Sequence, residues 1–350
     1  MRRTLVLLLV LALLVPGADA QDRPNVDIQF LFPKSELSKD KVPKAKVANS
    51  LYGQIDFLDS RRVTIIGPVR VGLLGNPSHL ALKAPVQPQL THIVEALMDS
   101  TAGGGELLFQ LRSFNYIEEF STRYCHLRAT LYSKSAGQYR KLLTLDTVIL
   151  IRLSDISGEV QKGSSLAICD LIRTGLLELP ADSTAYTLND LGRMDSIETS
   201  RLALYTRDSL VDGLYKAYAS FADQRPDLQC SFKVDKNGDL KAVWIPDENG
   251  KEKKVDRREI YAVVYQGQAF IATEYGLYRL TKTEGDLLFT GDVRVPASRG
   301  DLAGGQFALG LTGRLLASQG YKTTYTMAID HLNGDFLHLR LIPPPESPGQ

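Results

Sequence analysis

The sequence predicts an α+β fold: a mainly antiparallel N-terminal sheet with two packed helices, followed by a β-rich C-terminal domain. Two stretches repeat apolar residues at helical spacing, and long segments alternate apolar and polar residues with period two. Asn-Gly pairs at 237–238, 249–250 and 333–334 punctuate the C-terminal half, where tight hairpins need positive φ angles.

The elements follow in order. Val63 to Leu74 alternates around Val69, Val71 and Leu73, and Pro68 and two glycines mark it as an edge or bent strand. Leu90, Ile93, Val94, Leu97 and Met98 form one helical stripe, with Pro88 in the first turn and Gly103 to Gly105 as the stop. Three strands are expected at Glu106 to Glu118, Arg123 to Ser133 and Leu142 to Leu153, the last central because it is apolar on both faces. Ser164 to Leu177 reads as the second helix. The polar stretch Pro180 to Ser200 is the expected linker. A short helix is expected near Leu214 to Ala222, with a longer helix starting at Asp195 as the alternative, and short strands at Ile260 to Tyr265, Gln268 to Thr273, Leu277 to Thr281 and Asp286 to Val293.

The N-terminus carries Arg2 and Arg3, an apolar run from Leu5 to Val15, and Ala18-Asp19-Ala20. That order is the pattern of a cleavable export signal. Cleavage is expected after Ala20, and Gln21 in place of Cys removes the lipid-bearing atom of a lipoprotein. The expected organisation is a signal peptide at 1–20, an α+β domain at 21–178, a linker at 179–200, a β-rich domain at 201–345 and a tail at 346–350. The destination is the periplasm or the exterior. After cleavage 39 basic and 39 acidic residues remain. No basic excess is present to release counterions from nucleic acid, so nucleic acid is not an expected partner.

Cys125, Cys169 and Cys230 all fall on apolar faces and are expected as buried thiols, since their spacing fits neither a metal site nor redox chemistry. His92 lies opposite its helix's apolar stripe and His79 follows Pro77 in a turn. If Asn333 and Gly334 form a two-residue turn, His331 pairs with Phe336 and His338 with Ile329, which places the two histidines on one face as diagonal neighbours. That face supplies no third ligand, so no metal site is assigned. Asp235, Asn237 and Asp239 fit a hairpin turn better than a calcium loop, because no Glu closes one. No catalytic motif or cofactor fingerprint occurs.

Gly213-Leu214-Tyr215, Phe221, Arg225-Pro226-Asp227 and Ile260 to Tyr278 resemble a family of uncharacterised exported envelope proteins of Gram-negative bacteria. The resemblance covers roughly the last 150 residues and implies no chemistry. The order of N-terminal elements is loosely similar to auxiliary envelope proteins of transport systems, without their lipid-bearing cysteine. The segment Gly304 to Ala317 is apolar and glycine-rich, and too short to span a bilayer. The segment reads first as a buried helix or a pair of inner strands; as the alternative, Gly304, Gly305, Phe307, Leu309, Gly310, Leu311, Gly313, Leu315 and Leu316 form the candidate interaction surface, for an envelope protein or the periphery of a membrane. The expected function is therefore a non-catalytic exported protein acting through protein contacts. The competing expectations are a small-ligand or lipid carrier, and an exported hydrolase with a carboxylate-based site.

Overall fold

Three strands of the N-terminal part are long enough to form a sheet with one wholly covered face. In the computed structural model, which describes residues 25–343 except 42, 72–75, 120–121, 153–154, 182, 237–239, 284 and 296–320, they are β5 (Gly105–Glu119), β6 (Thr122–Ser135) and β7 (Gln138–Leu150). The preceding elements are β1 (Asn25–Ile28), β2 (Tyr52–Asp59), β3 (Ile65–Val71), β4 (Asn76–Leu82) and α1 (Gln87–Leu97). The main sheet runs β2-β5-β6-β7, antiparallel except that β2 lies parallel to β5. A small sheet, β1-β4-β3, closes one end of the same core. In it β3 is an edge strand with a register shift between Ile65 and Gly67, as its proline and glycines foretell.

Helices α1 and α2 (Ile156–Gly175) cover one face of the main sheet. Leu90, Ile93, Val94 and Leu97 from α1 and Val160, Ile168, Cys169 and Ile172 from α2 are buried against Leu107, Phe109, Leu127 and Leu131. Helix α2 begins eight residues before the expected Ser164. Asp155 caps it by accepting from the Gly158 amide, and Gly158 and Gly163 lie inside its first half. Gly163 is required by a close approach: a Cβ there would lie 2.4 Å from Ile149 Cγ2. The glycines at 103–105 do not stop α1, whose C-cap is Met98. They line up beside the entry to β2, where the Gly103 amide donates to Ser50 O at 2.6 Å.

The strand expected to be central is an edge. β7 ends the sheet, and Val148 and Leu150 are exposed on its outer face, so β5 is the strand buried on both sides. The expected linker carries α3 (Leu188–Gly192) and α4 (Met194–Thr199), followed by α5 (Ala203–Thr206). Leu191 of α3 is buried with Leu108, Tyr132 and Tyr139 on the outer face of the main sheet.

The C-terminal part contains β8 (Gly213–Tyr215), α6 (Tyr218–Ala222), β9 (Ser231–Val234), β10 (Leu240–Pro246), β11 (Glu252–Lys254), β12 (Ala262–Tyr265), β13 (Gln268–Ala272), β14 (Leu277–Arg279), β15 (Thr281–Lys282), β16 (Leu287–Val295), β17 (Tyr321–Ile329) and β18 (Phe336–Ile342). Leu214 and Tyr215, expected to open a helix, are strand residues instead. The sheet β14-β13-β12-β8 is the middle of three layers. Tyr215, Ala262, Val264, Ala269 and Ile271 face the sheet β15-β16-β17-β18, while Leu214, Val263 and Phe270 face β10 of the sheet β11-β10-β9. Strict alternation along β8, β12 and β13 therefore feeds two cores at once.

The export signal, the candidate surface at Gly304 to Leu316 and the Asn237-Gly238 turn lie outside the described residues. Among the described residues no helix is long and apolar enough to cross a membrane. Cys125 and Cys169 are buried and Cys230 is only half-buried, and all three are free thiols. Replacing Gly163 with Ala should lower the stability of the protein by about 1–3 kcal/mol through overpacking on Ile149. Urea denaturation reads that loss, with exposed His92→Ala as the neutral control.

Candidate functional site

A β-bulge decides what the second face of the main sheet presents. Leu111 pairs with Ala129 but Ser113 pairs with Arg128, which leaves Arg112 as an extra residue in β5. The apolar stripe facing the helices thus changes parity, from Leu107, Phe109 and Leu111 to Phe114 and Tyr116. Bulges re-aim side chains in this way. Gln110, Arg112, Ser113 and Asn115 are all buried polar residues. Gln110 is wholly satisfied: its amide donates to Leu191 O at 3.1 Å and Ser60 Oγ at 3.0 Å, and Tyr132 Oη donates to its carbonyl at 3.0 Å.

Arg112 holds the linker helices and the closing turn together. Its guanidinium donates to both carboxylate oxygens of Glu198 at 2.9 Å and also to Asp195, one helical turn earlier on α4. Glu198 Oε2 also lies 3.1 Å from His331 Nε2 in the turn between β17 and β18. Burial alone would lower the Arg112 pKa, but Glu198 and Asp195 outweigh it and hold it above its ordinary value. Burial alone would raise Glu198, yet hydrogen bonds from His331 and Arg112 hold its carboxyl at about 2. Arg112 Nε and His331 Nδ1 have no hydrogen-bond partner. Both residues line a cavity of about 10 Å³, room for one water that would bridge such atoms.

Ligating atoms of Asp195, Glu198 and His331 lie within 4.8 Å of one another, a donor set of the right type for a divalent cation. The guanidinium of Arg112 already supplies the positive charge between the two carboxylates. A metal there would have to displace it. The cluster is an ion-pair network rather than an open coordination site.

The closing turn explains why the expected histidine pair does not form. Ile329 pairs with Phe336 and Met327 with His338, so the turn spans residues 330–335 and not two residues. Asp330 accepts from the Leu332 amide at 3.0 Å and Asn333 Oδ1 from the Asp335 amide at 2.9 Å, which builds a longer turn from side-chain hydrogen bonds. His331 therefore meets Glu198. His338 stacks edge-on to Tyr325, its ring centroid 5.1 Å away, with its pKa pushed down to about 4 by burial and by His79.

A second cluster lies on the other side of the turn. His126 on β6 has Nδ1 3.1 Å from Asp335 and 2.9 Å from the Asn333 amide nitrogen, and Nε2 3.2 Å from Asp146. Tyr124 Oη donates to Asp335 at 3.3 Å, and Arg128 stands 3.7 Å from Asp146. The hydrogen bond with Asp335 raises the His126 pKa, against burial. Nearby, Glu119 is pushed up to about 7 by burial and by the charges of Glu274 and Asp335. Glu274 is itself paired with Arg294 at 2.9 Å. Glu118, Glu119 and Glu274 line a cavity of about 30 Å³ with Pro68, Phe336 and His338.

A further concavity lies away from these clusters. A groove of about 730 Å³ runs between β10 and the end of β11 on one side and the turn into β14 on the other. Leu240, Val243, Ile260 and Leu277 give it a small apolar floor, and Lys241, Lys254 and Arg257 give it cations.

No family model, curated protein or solved structure matches the chain. Function has to be read from these surfaces alone. Reading the sequence singled out His331 and His338, but the structure separates them. It passed over Arg112, Asp195 and Glu198. The parity change between Leu111 and Phe114 and the i, i+3 spacing of Asp195 and Glu198 were the available signals.

The pKa shifts fix a pH response. A raised histidine stabilises below its unfolded value near 6.5 and loses that contribution as pH rises through its folded value. Glu119 ionises near 4.5 when unfolded and about 7 when folded, so it too costs stability as pH rises across that window. His338, neutral in the fold down to about pH 4, works the other way and gains stability as pH rises towards 6.5, so the Glu119 contribution is read by comparison with a variant at position 119. Glu119→Gln, which mimics the protonated acid, should match the wild type at pH 5 and exceed it by roughly 1–2 kcal/mol at pH 8, after allowance for solvent screening. Urea midpoints across that range read the difference.

Proposed function

We propose that the chain is an exported, non-catalytic envelope protein that acts through protein contacts, with its C-terminal β-rich part as the contact surface. One observation carries the reading: a groove of about 730 Å³ with a predominantly polar lining lies between the ends of strands of two sheets, while the concavities of about 30 and 10 Å³ have room only for water-sized guests. Small-molecule sites are clefts or cavities of about 300–1,000 Å³ lined mostly by apolar side chains; this groove has the size but not the lining. The N-terminal signal pattern and the resemblance of Gly213 to Tyr278 to exported envelope proteins support the location.

A carrier that encloses its ligand between the first sheet and its helices is less well supported, since Leu90, Ile93, Phe109, Leu127, Ile168 and Ile172 pack into that space. The hydrolase reading has one observation in its favour, the carboxyl of Glu119 held near neutrality beside Glu274. The cavity they line leaves no room for a sugar ring or a peptide bond to reach them.

Cross-linking in the native envelope, followed by isolation of the mature protein, tests the proposal. A specific partner protein that saturates with expression is expected. Recovery of the protein alone, together with turnover or small-molecule binding, would overturn it.

A further inference from the structure

We infer that the groove between β10, β11 and β14 takes an extended, acidic peptide segment that adds to the outer edge of β14. The inference rests on the protein-contact reading above and names the partner's chemistry. It begins from topology. β11 and β14 are each the outermost strand of their sheet, and residues of both line the groove. An outermost strand offers a row of backbone donors and acceptors, and an extended segment satisfies them by adding as one more strand.

The side chains specify what such a segment must carry. Half-buried Leu277, with the outer edges of the buried Leu240, Val243 and Ile260, forms a small apolar floor in an otherwise polar groove, continuous with the core beneath the middle sheet. Alternate residues of an added strand would face this floor. The charges are uneven although the mature chain is neutral overall. Lys241, Lys254 and Arg257 line the groove against a single acid, Asp256, whose carboxylate is engaged by the Arg258 amide at 3.0 Å. Lys241 is held by Asp235 at 3.1 Å. Lys254 and Arg257 are exposed and form no ion pair with any described residue. Two uncommitted cations beside an apolar floor select a segment that alternates apolar and acidic residues. A basic segment would set like charges against them.

The probe is a fluorescein-labelled nonapeptide alternating valine and glutamate, with its valine-lysine counterpart as control, titrated with the mature full-length protein in fluorescence anisotropy. The glutamate peptide should bind, weaken several-fold between 0.05 and 0.3 M salt, and weaken about tenfold or more with Lys254→Glu and Arg257→Glu together. Both side chains are exposed, so the double variant should keep the wild-type urea midpoint. N-methylation of alternate peptide bonds should abolish binding, because strand addition needs those amides. Equal binding of the lysine peptide, indifference to charge reversal, or indifference to N-methylation would overturn the inference. So would binding to phosphatidylglycerol vesicles with none to the peptide. If the envelope cross-link forms normally with the double variant, this inference alone falls; if no cross-link forms with the wild type, the protein-contact reading falls with it.

Discussion

The guanidinium of Arg112 is the point on which the two halves of the molecule depend. It stands at a bulge in β5, which is buried on both faces, and it is shared by two carboxylates of α4 while one of these also holds His331. Sheet, linker helix and closing turn thus meet at one charge. Buried ion pairs cost desolvation and add little net stability compared with an apolar replacement, but removing one partner leaves a charge buried without compensation, at about 3–5 kcal/mol. The network therefore acts chiefly to select one arrangement of its three elements. A slip of the closing turn by one residue would carry His331 away from Glu198 and leave the acid to Arg112 alone.

The rest of the seam follows the same logic. Tyr218 Oη donates to His331 O at 2.9 Å and Tyr261 Oη to Gly334 O at 2.7 Å from the C-terminal side, while Ser113, Tyr124 and His126 bind the turn from the N-terminal side. Gly334 has φ +84°, and a Cβ there would lie 2.3 Å from the Tyr218 ring, so the turn is clasped as well as bonded. Arg62 adds a bond to Ile329 O at 3.0 Å and an ion pair with Asp286. Apolar cores sit on either side of this polar seam, each complete within its own half. The polar seam positions the halves, and the groove lies beyond it, where β11 and β14 end their sheets.

Much of the architecture was legible because it obeys simple periods. The stripe of α1, the alternation of β5 to β7 and the apolar patterns of β12, β13 and β16 appear where the sequence predicts them, with ends displaced by a few residues. The failures have physical causes. The second helix is expected from Ser164, yet it starts at Ile156, with Gly158 beneath a capping carboxylate and Gly163 under Ile149. Asn333-Gly334 read as a two-residue turn, yet Asp330 and Asn333 recruit the backbone into a longer one. β7 read as central because it is apolar on both faces, but it ends the sheet and keeps Val148 and Leu150 exposed. The Arg112 network joins residues more than eighty positions apart, and only the fold brings them together. The groove is still less legible, since its walls come from strands of two different sheets.

Hydrogen exchange on the full chain with Arg112→Met tests most directly whether this charge unites the halves. The account predicts that amide protection falls together in α4 and in residues 330–335, which are far apart in sequence, while α1 keeps its wild-type protection. Loss confined to β5 beside the substitution, with α4 and the closing turn unchanged, would contradict it.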